Sequence, residues 1–312
     1  MEQKGGALPT PETECAVGRP SSQCLLRGEL DKLASIAKTF GSKVGGKNIL
    51  TALMMETKCD SEECVICEML ERVRGTPYES IVRRIKELAF KPKGPYELTA
   101  LLDSFMLVHI GLQIESGYPG LKFGGALSYD FMIPPITSSF GSPKAVVESY
   151  HKEKWKKLQF LLNIDHRMGT GLHWVALCVN TTDEQIEYTD SYGQPPMGGL
   201  IRSSRPYPGI TNSSGQYLSL INEWVQDVQT EFIKGGVPMK FVYNHMRHQE
   251  NRDRSNCGVY AVVALVASAE NRSFIRQNSQ SISMVEISAV RERLYRRTPG
   301  YTAELPSIAL ER

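Results

Sequence analysis

HWVALCVNTTDEQIEYTDSY, residues 173–192, is the stretch that sets the fold class. Two runs rich in Val, Leu, Ile and Tyr flank a polar turn from Thr181 to Glu184, so the whole reads as a β-hairpin. A turn centred near residue 182 makes positions whose numbers sum to about 363 or 364 face each other. His173 then falls opposite Asp190 or Ser191. Directly opposed residues in an antiparallel pair have Cβ atoms roughly 4.5–5.5 Å apart. The spacing alone therefore predicts a His–Asp contact.

Further runs suited to strands stand at Leu158 to Asn163 and Met239 to Tyr243, with a helix at about 217–232 before the second. A helical stretch, LTALLDSFMLVHIGL, precedes them at 98–112, and a last helix is expected near Val285 to Arg297. The pattern is α+β with a mostly antiparallel sheet. Residues 1–26 are polar and rich in Pro, Ser and Gly, and read as a mobile tail. Residues 27–95 carry helical spacing at Glu29 to Phe40, Lys47 to Glu56 and Ser61 to Arg74. Thr76-Pro77-Tyr78-Glu79 then reads as a capping box that opens a fourth helix. KPKGP, Lys91 to Pro95, closes this helical arm as a hinge into a core expected over 96–312.

The 312 residues carry a net charge of only +2, which gives no electrostatic case for nucleic acid or membrane. Two basic runs, KEKWKK (152–157) and RERLYRR (291–297), read as solvated helix faces. The N-terminus lacks the basic and apolar regions of a signal peptide, and the apolar run Val259 to Ala267 is too short to span a bilayer. Seven cysteines, an odd count, then point to a reducing compartment. Cys59, Cys64 and Cys67 form C-x4-C-x2-C, but zinc needs four ligands and no histidine is near. Cys15 or Cys24 could supply a fourth ligand, but the reading is helix-packing cysteines, and no metal or cofactor is expected.

RSNCGVYAVVALVASA, residues 254–269, places Cys257 where a polar stretch meets an apolar helix. A helix N-terminus favours a thiolate through its dipole and free N–H groups. Taken singly, each candidate has a bland reading. Cys257 is a buried thiol, His173 a core or surface imidazole, Asp190 a turn residue, Gln249 an ordinary polar side chain. Together they supply four distinct jobs: a nucleophile in Cys257, a base in His173, an orienting acid in Asp190 and an oxyanion donor in Gln249. Gly258 leaves room for a substrate carbonyl to approach the backbone. His245 and His248 are rival bases but have no carboxylate partner placed by the hairpin. Asp165, Asp183 and Glu187 are rival acids, of which Glu187, an odd number of residues from Asp190, faces the opposite side of the strand.

At these residues the chain resembles the ubiquitin-like-protein (SUMO) protease superfamily, which includes the adenovirus protease. The signature is His173-Trp174, Asp190, Gln249 and Cys257-Gly258. Within it, GTGLHWVALCVN, QIEYTDSYGQPP, MRHQ and NCGVY, with KCDSEECVI in the arm, resemble the polyprotein-processing proteases of African swine fever virus and related large nucleocytoplasmic DNA viruses. The resemblance implies a papain-like cysteine peptidase core behind an N-terminal helical arm. It implies an endopeptidase that cuts viral structural polyproteins after Gly-Gly in Gly-Gly-Xaa sites, in the host cytoplasm at assembly sites and in the virion. Trp174 would help wall a narrow tunnel that admits only glycine beside the cut. Gln249 stands eight residues before Cys257, farther than the family shows, so ENRDRSN (250–256) reads as a lengthened loop. GQPPMGGLIRSSRPYPG (193–209) reads as an insertion.

Three alternatives keep some of these features. A deconjugating protease would act on ubiquitin-like modifiers, whose tails also end in Gly-Gly. An acyl transferase of the same architecture would use the same groups on an acyl-CoA. A non-catalytic binding protein would leave Cys257 unreactive. Gly5-Gly6 before Ala7 marks a candidate self-processing site.

Overall fold

The computed structural model describes residues 14–20, 23–133, 139–196, 220–272, 282–302 and 305–306. Four helices open the chain: α1 (Arg27–Thr39), α2 (Ile49–Thr57), α3 (Glu62–Val73) and α4 (Glu79–Ala89). Ser61 caps α3 by accepting from the Cys64 N–H at 3.3 Å. Leu33, Ala37, Leu53, Val65, Ile66, Met69, Val73 and Val82 fill a core of their own between these helices. The fourth helix begins at Glu79 rather than beside Thr76, whose Oγ1 instead accepts from the Tyr78 N–H within the preceding turn.

The short strand β1 (Lys93–Pro95) leads through a run without regular structure to α5 (Ser104–Gly117). A mixed sheet follows, built from β2 (Leu121–Ser128), β3 (Lys157–Asn163), β4 (Trp174–Asn180), β5 (Gln185–Thr189) and β6 (Lys240–Tyr243), in that spatial order. The inner joins β3–β4 and β4–β5 are antiparallel, but β2–β3 and β5–β6 are parallel. The expectation of a mostly antiparallel sheet is corrected accordingly. The cause is two crossovers: α6 (Pro143–Glu153) lies between β2 and β3, and α7 (Leu220–Lys234) between β5 and β6. The chain ends with α8 (Cys257–Ala269), α9 (Met284–Leu294) and β7 (Arg296–Thr298), which pairs in parallel with β1.

Helices cover both faces of the sheet, so β3 is buried along its whole length. In β4, Trp174, Ala176 and Cys178 face the core shared with α5 and α8, while Val175, Leu177 and Val179 face that of α6 and α7. Both basic runs depart from their reading as solvated faces. Lys157 is buried in β3 with its Nζ on Asn271 Oδ1 at 2.9 Å, and Arg291 is fully buried. Their long stems and several donors allow burial where enough oxygens converge.

The reading of residues 1–26 as a mobile tail fails for 14–20 and 23–26. Ala16, Val17 and Leu25 are buried, Ala16 N–H donates to Ala89 O, and Cys15 bridges Phe90. Cys15 is disulfide-bonded to Cys24, and Cys59 to Cys64, which overturns their reading as reduced packing residues. Their Cα atoms stand 4.8 and 5.5 Å apart, within disulfide range. Sulfurs of Cys15 and Cys24 also lie near the Glu62 carboxylate, but joined to each other they offer no thiolate to a metal. Gly5-Gly6, Gly198-Gly199 and most of the expected 193–209 insertion lie outside the described residues.

Candidate active site

The hairpin of β4 and β5 is in place, one step out of the expected register. Ala176 faces Thr189 and Val179 faces Ile186, so opposed numbers sum to 365. Extended by three residues, that register sets His173 opposite Tyr192. The two rings are indeed stacked, with centroids 4.7 Å apart. Asp190 is two residues from Tyr192 and so faces the same side. Its Oδ1 accepts from His173 Nε2 at 2.6 Å and from the Tyr192 N–H at 2.8 Å. The contact expected from direct opposition is thus made diagonally, across the frayed end of the hairpin. Asn244 locks the acid from below: its Oδ1 accepts from the Asp190 N–H and its Nδ2 donates to the Asp190 carbonyl.

Cys257 is the first residue of α8, as the sequence predicts. His173, with Nε2 on Asp190, is also hydrogen-bonded to the Cys257 thiol. Burial pushes the Cys257 thiol up. The His173 hydrogen bond and charge, with the N–H groups of Trp174 and Gly258, outweigh it and leave the thiol below its ordinary value. For His173 burial pulls downward, but the hydrogen bonds and charges of Asp190 and Cys257 raise it to about 9. The two opposite shifts favour a thiolate beside an imidazolium, the state from which sulfur attacks a carbonyl carbon.

The thiol opens on a cleft of about 460 Å³. One wall is the Leu101–Ser104 run; the facing wall is the loop between β3 and β4. Asn163 and Asp165 brace that loop. Asn163 Oδ1 accepts from the N–H groups of Asp165 and Leu172, and Asp165 Oδ2 from that of Gly171, whose φ of +85° suits glycine. Trp174 lines the cleft and is pinned by its Nε1 donating to Leu102 O at 3.0 Å.

The other candidates fall differently. Gly258 lies under Leu102 and Trp174: a Cβ there would stand 3.3 Å from Leu102 and 3.5 Å from Trp174 Cδ1. Its missing side chain lets the cleft wall close on α8, and it does not line the cleft. Gln249 is buried with both ends of its amide engaged. Its Oε1 accepts from Ser191 Oγ at 2.6 Å and its Nε2 donates to Asp253 O at 2.8 Å. In this arrangement the amide braces the turn before Cys257 and commits one of its two N–H donors. Of the rival groups, His245 packs at a tilt against the Tyr243 ring, and Asp183 accepts from Asn180. Sequence reasoning missed Tyr192, Asn244, Asp253 and Leu102. Only Tyr192 had left a signal, since a register one step further along names it as the partner of His173.

The profile of the Ulp1 protease family, C-terminal catalytic domain, matches residues 152–298, a span that contains His173, Asp190 and Cys257. Residues 152–298 are thus similar to the catalytic domain of that family. That match, together with the descriptions of similar proteins, identifies the chain as a cysteine protease. A SUMO-1 cysteine protease of African swine fever virus is 26% identical over 252 residues, 76% of this chain and 83% of that protein. A putative thiol protease of Acanthamoeba polyphaga mimivirus is 24% identical over 245 residues, 78% of this chain and 71% of that protein. In fold, the chain is similar to the crystal structure of the African swine fever virus protease. The TM-score is 0.58 at 22% identity, over 93% of this chain and 97% of that one, so the likeness takes in the helices ahead of the matched domain. Among the described residues no helix is long and apolar enough to cross a membrane.

Proposed function

We propose that this viral-type cysteine protease is an endopeptidase that cuts structural polyproteins after Gly-Gly. Cys257 is the nucleophile, His173 the base and later the acid, and Asp190 the carboxylate that fixes the ring. The thiolate adds to the scissile carbonyl, and the Cys257 N–H at the start of α8 faces the developing oxyanion. His173 gives its proton to the leaving amine, and water then releases the acyl group. Gln249 joins the oxyanion donors through the second N–H of its amide, the first being held by the Asp253 carbonyl. The cleft wall formed by Trp174 and Leu102, closed on Gly258, supports a chain without side chains beside the cut.

The observation that carries this reading is the hydrogen-bonded run Asp190–His173–Cys257 at the floor of an open cleft. Cys257→Ala and His173→Ala are each expected to abolish cleavage of a Gly-Gly-Xaa peptide while circular dichroism stays that of the wild type. Full activity in Cys257→Ala would refute it. The name of the African swine fever virus relative favours a second reading, deconjugation of a SUMO-like modifier. Release of such a modifier from an isopeptide-linked conjugate, with viral polyprotein left uncut, would select it. Action at the host-cell assembly site and in the particle belongs to the first reading.

A further inference from the structure

Arg291 lies in the last turn of α9 with its side chain fully buried. A guanidinium removed from water is costly unless its donors are met. Among the described residues no carboxylate forms an ion pair with it. Its donors go instead to neutral oxygens: the carbonyls of Leu98 and Ala100, the Tyr295 hydroxyl, and Asn256 Oδ1 at 3.2 Å. These acceptors stand on segments with different duties. Leu98 and Ala100 belong to the run between β1 and α5 that supplies Leu101, Leu102, Asp103 and Ser104 to the cleft wall. Asn256 is the residue immediately before Cys257. Its Nδ2 donates to both oxygens of the buried Asp253 carboxylate at 3.1 Å, and its N–H donates to the same group. Asp253 O in turn receives Gln249 Nε2. One planar fork thus spans the wall that guides a chain and the turn that presents the thiol.

We propose that Arg291 is a positioning residue that keeps the cleft wall in register with Cys257. The inference rests on the reading of Cys257 as nucleophile. Attack needs the reacting atoms about 3–3.5 Å apart, and a displacement on the order of 1 Å costs about a hundredfold. That cost applies to a chain aligned by the wall. A small electrophile arriving from solvent needs no wall and does not feel it.

Two variants test this. Arg291→Lys keeps the charge, but one ammonium cannot span acceptors that far apart. Asn256→Ala cuts the same link from the nucleophile's side and leaves Arg291 on its carbonyls. Three quantities are measured: kcat/KM for a Gly-Gly-Xaa peptide, the rate constant for alkylation of Cys257 by iodoacetamide (with Cys257→Ala as blank), and Tm. Both variants are expected to lose at least about tenfold in kcat/KM. Alkylation should stay within about twofold of wild type, and both proteins should be fully folded at the assay temperature. Unchanged cleavage in both variants overturns the proposal, and so does alkylation that falls in step with cleavage. A wild-type protein that neither cleaves nor alkylates overturns the Cys257 reading instead, and does so before either variant is compared.

Discussion

His173 carries the pH behaviour of the site. Its imidazole is held charged up to about 9 chiefly because the Asp190 hydrogen bond and charge, joined by those of Cys257, overcome burial. The Cys257 thiol is displaced the other way, so the reactive ion pair exists between the lowered thiol value and the raised imidazole value. kcat/KM is expected to rise with pH through the first limit and to fall as pH passes about 9. The sign for stability follows from the same raised value. The contribution of His173 is complete below 6.5, the ordinary imidazole value, and is lost as pH rises through about 9. Asp190→Asn removes the foremost upward influence, so the alkaline limb should move to lower pH. The rate should fall less than in Cys257→Ala, because an amide still holds the ring. A pH–rate profile of both proteins checks this, and an unmoved alkaline limb would assign the raised value to something other than Asp190. The His–Asp contact was legible in the sequence because a hairpin couples two positions 17 residues apart by simple counting. The support from Asn244, Asp253 and Arg291 was not legible. Each reaches the site from a separate segment, and no periodicity links those segments to the hairpin.

At the scale of elements, alternation was the readable signal. β3, β4, β5 and β6 stand close to where runs of branched and aromatic residues predict them. β2 was missed because Gly124 and Gly125 interrupt its apolar pattern. Gly124 sits against Phe160, where a Cβ would come within 2.1 Å of the ring, and the β2–β3 register shifts between Phe123 and Gly125. With β2 missed, α6 lost its role as a crossover, and the sheet was read as antiparallel. A related close approach gives a prediction. Gly111 in α5 faces Phe123 of β2, and an added Cβ would stand 2.2–2.4 Å from that ring. In an exposed helix, Gly→Ala gains about 1 kcal/mol. Here overpacking should reverse the sign and cost roughly 1–3 kcal/mol. Gly111→Ala should therefore lower Tm by about 2–4 °C per kcal/mol lost. Thermal denaturation followed by circular dichroism reads it, and a raised Tm would mean that β2 yields freely. The helix is worth testing because its N-cap, Asp103, belongs to the cleft wall.

At the scale of the whole molecule, the segment before α1 joins the arm to the catalytic unit. Arg19 is buried between them. It forms a two-pronged pair with Glu29 of α1 at 2.8 and 2.9 Å, donates to Leu88 O at the end of α4, and donates to Ser116 Oγ of α5. No local pattern marks such a residue, since all its partners are distant in sequence or lie on separate helices. That is why the segment reads as a tail until the fold is known. Breaking a buried pair by removing one partner costs roughly 3–5 kcal/mol, because the other charge is left without a counterion. Glu29 retains some contact with water, its side chain being 13% exposed, so Arg19→Met should fall toward the lower end of that range. The double variant Arg19→Met, Glu29→Gln removes the stranded charge and should recover part of the loss, which a double-mutant cycle in urea measures directly. The same titration separates two consequences. If Arg19 only stabilises the arm, the single variant gives an early transition followed by that of an intact catalytic unit. If it welds arm to catalytic unit, one cooperative transition persists and shifts as a whole. Three helices meet on this one guanidinium, two from the arm and one that walls the cleft, so a single shifted transition is the expected result.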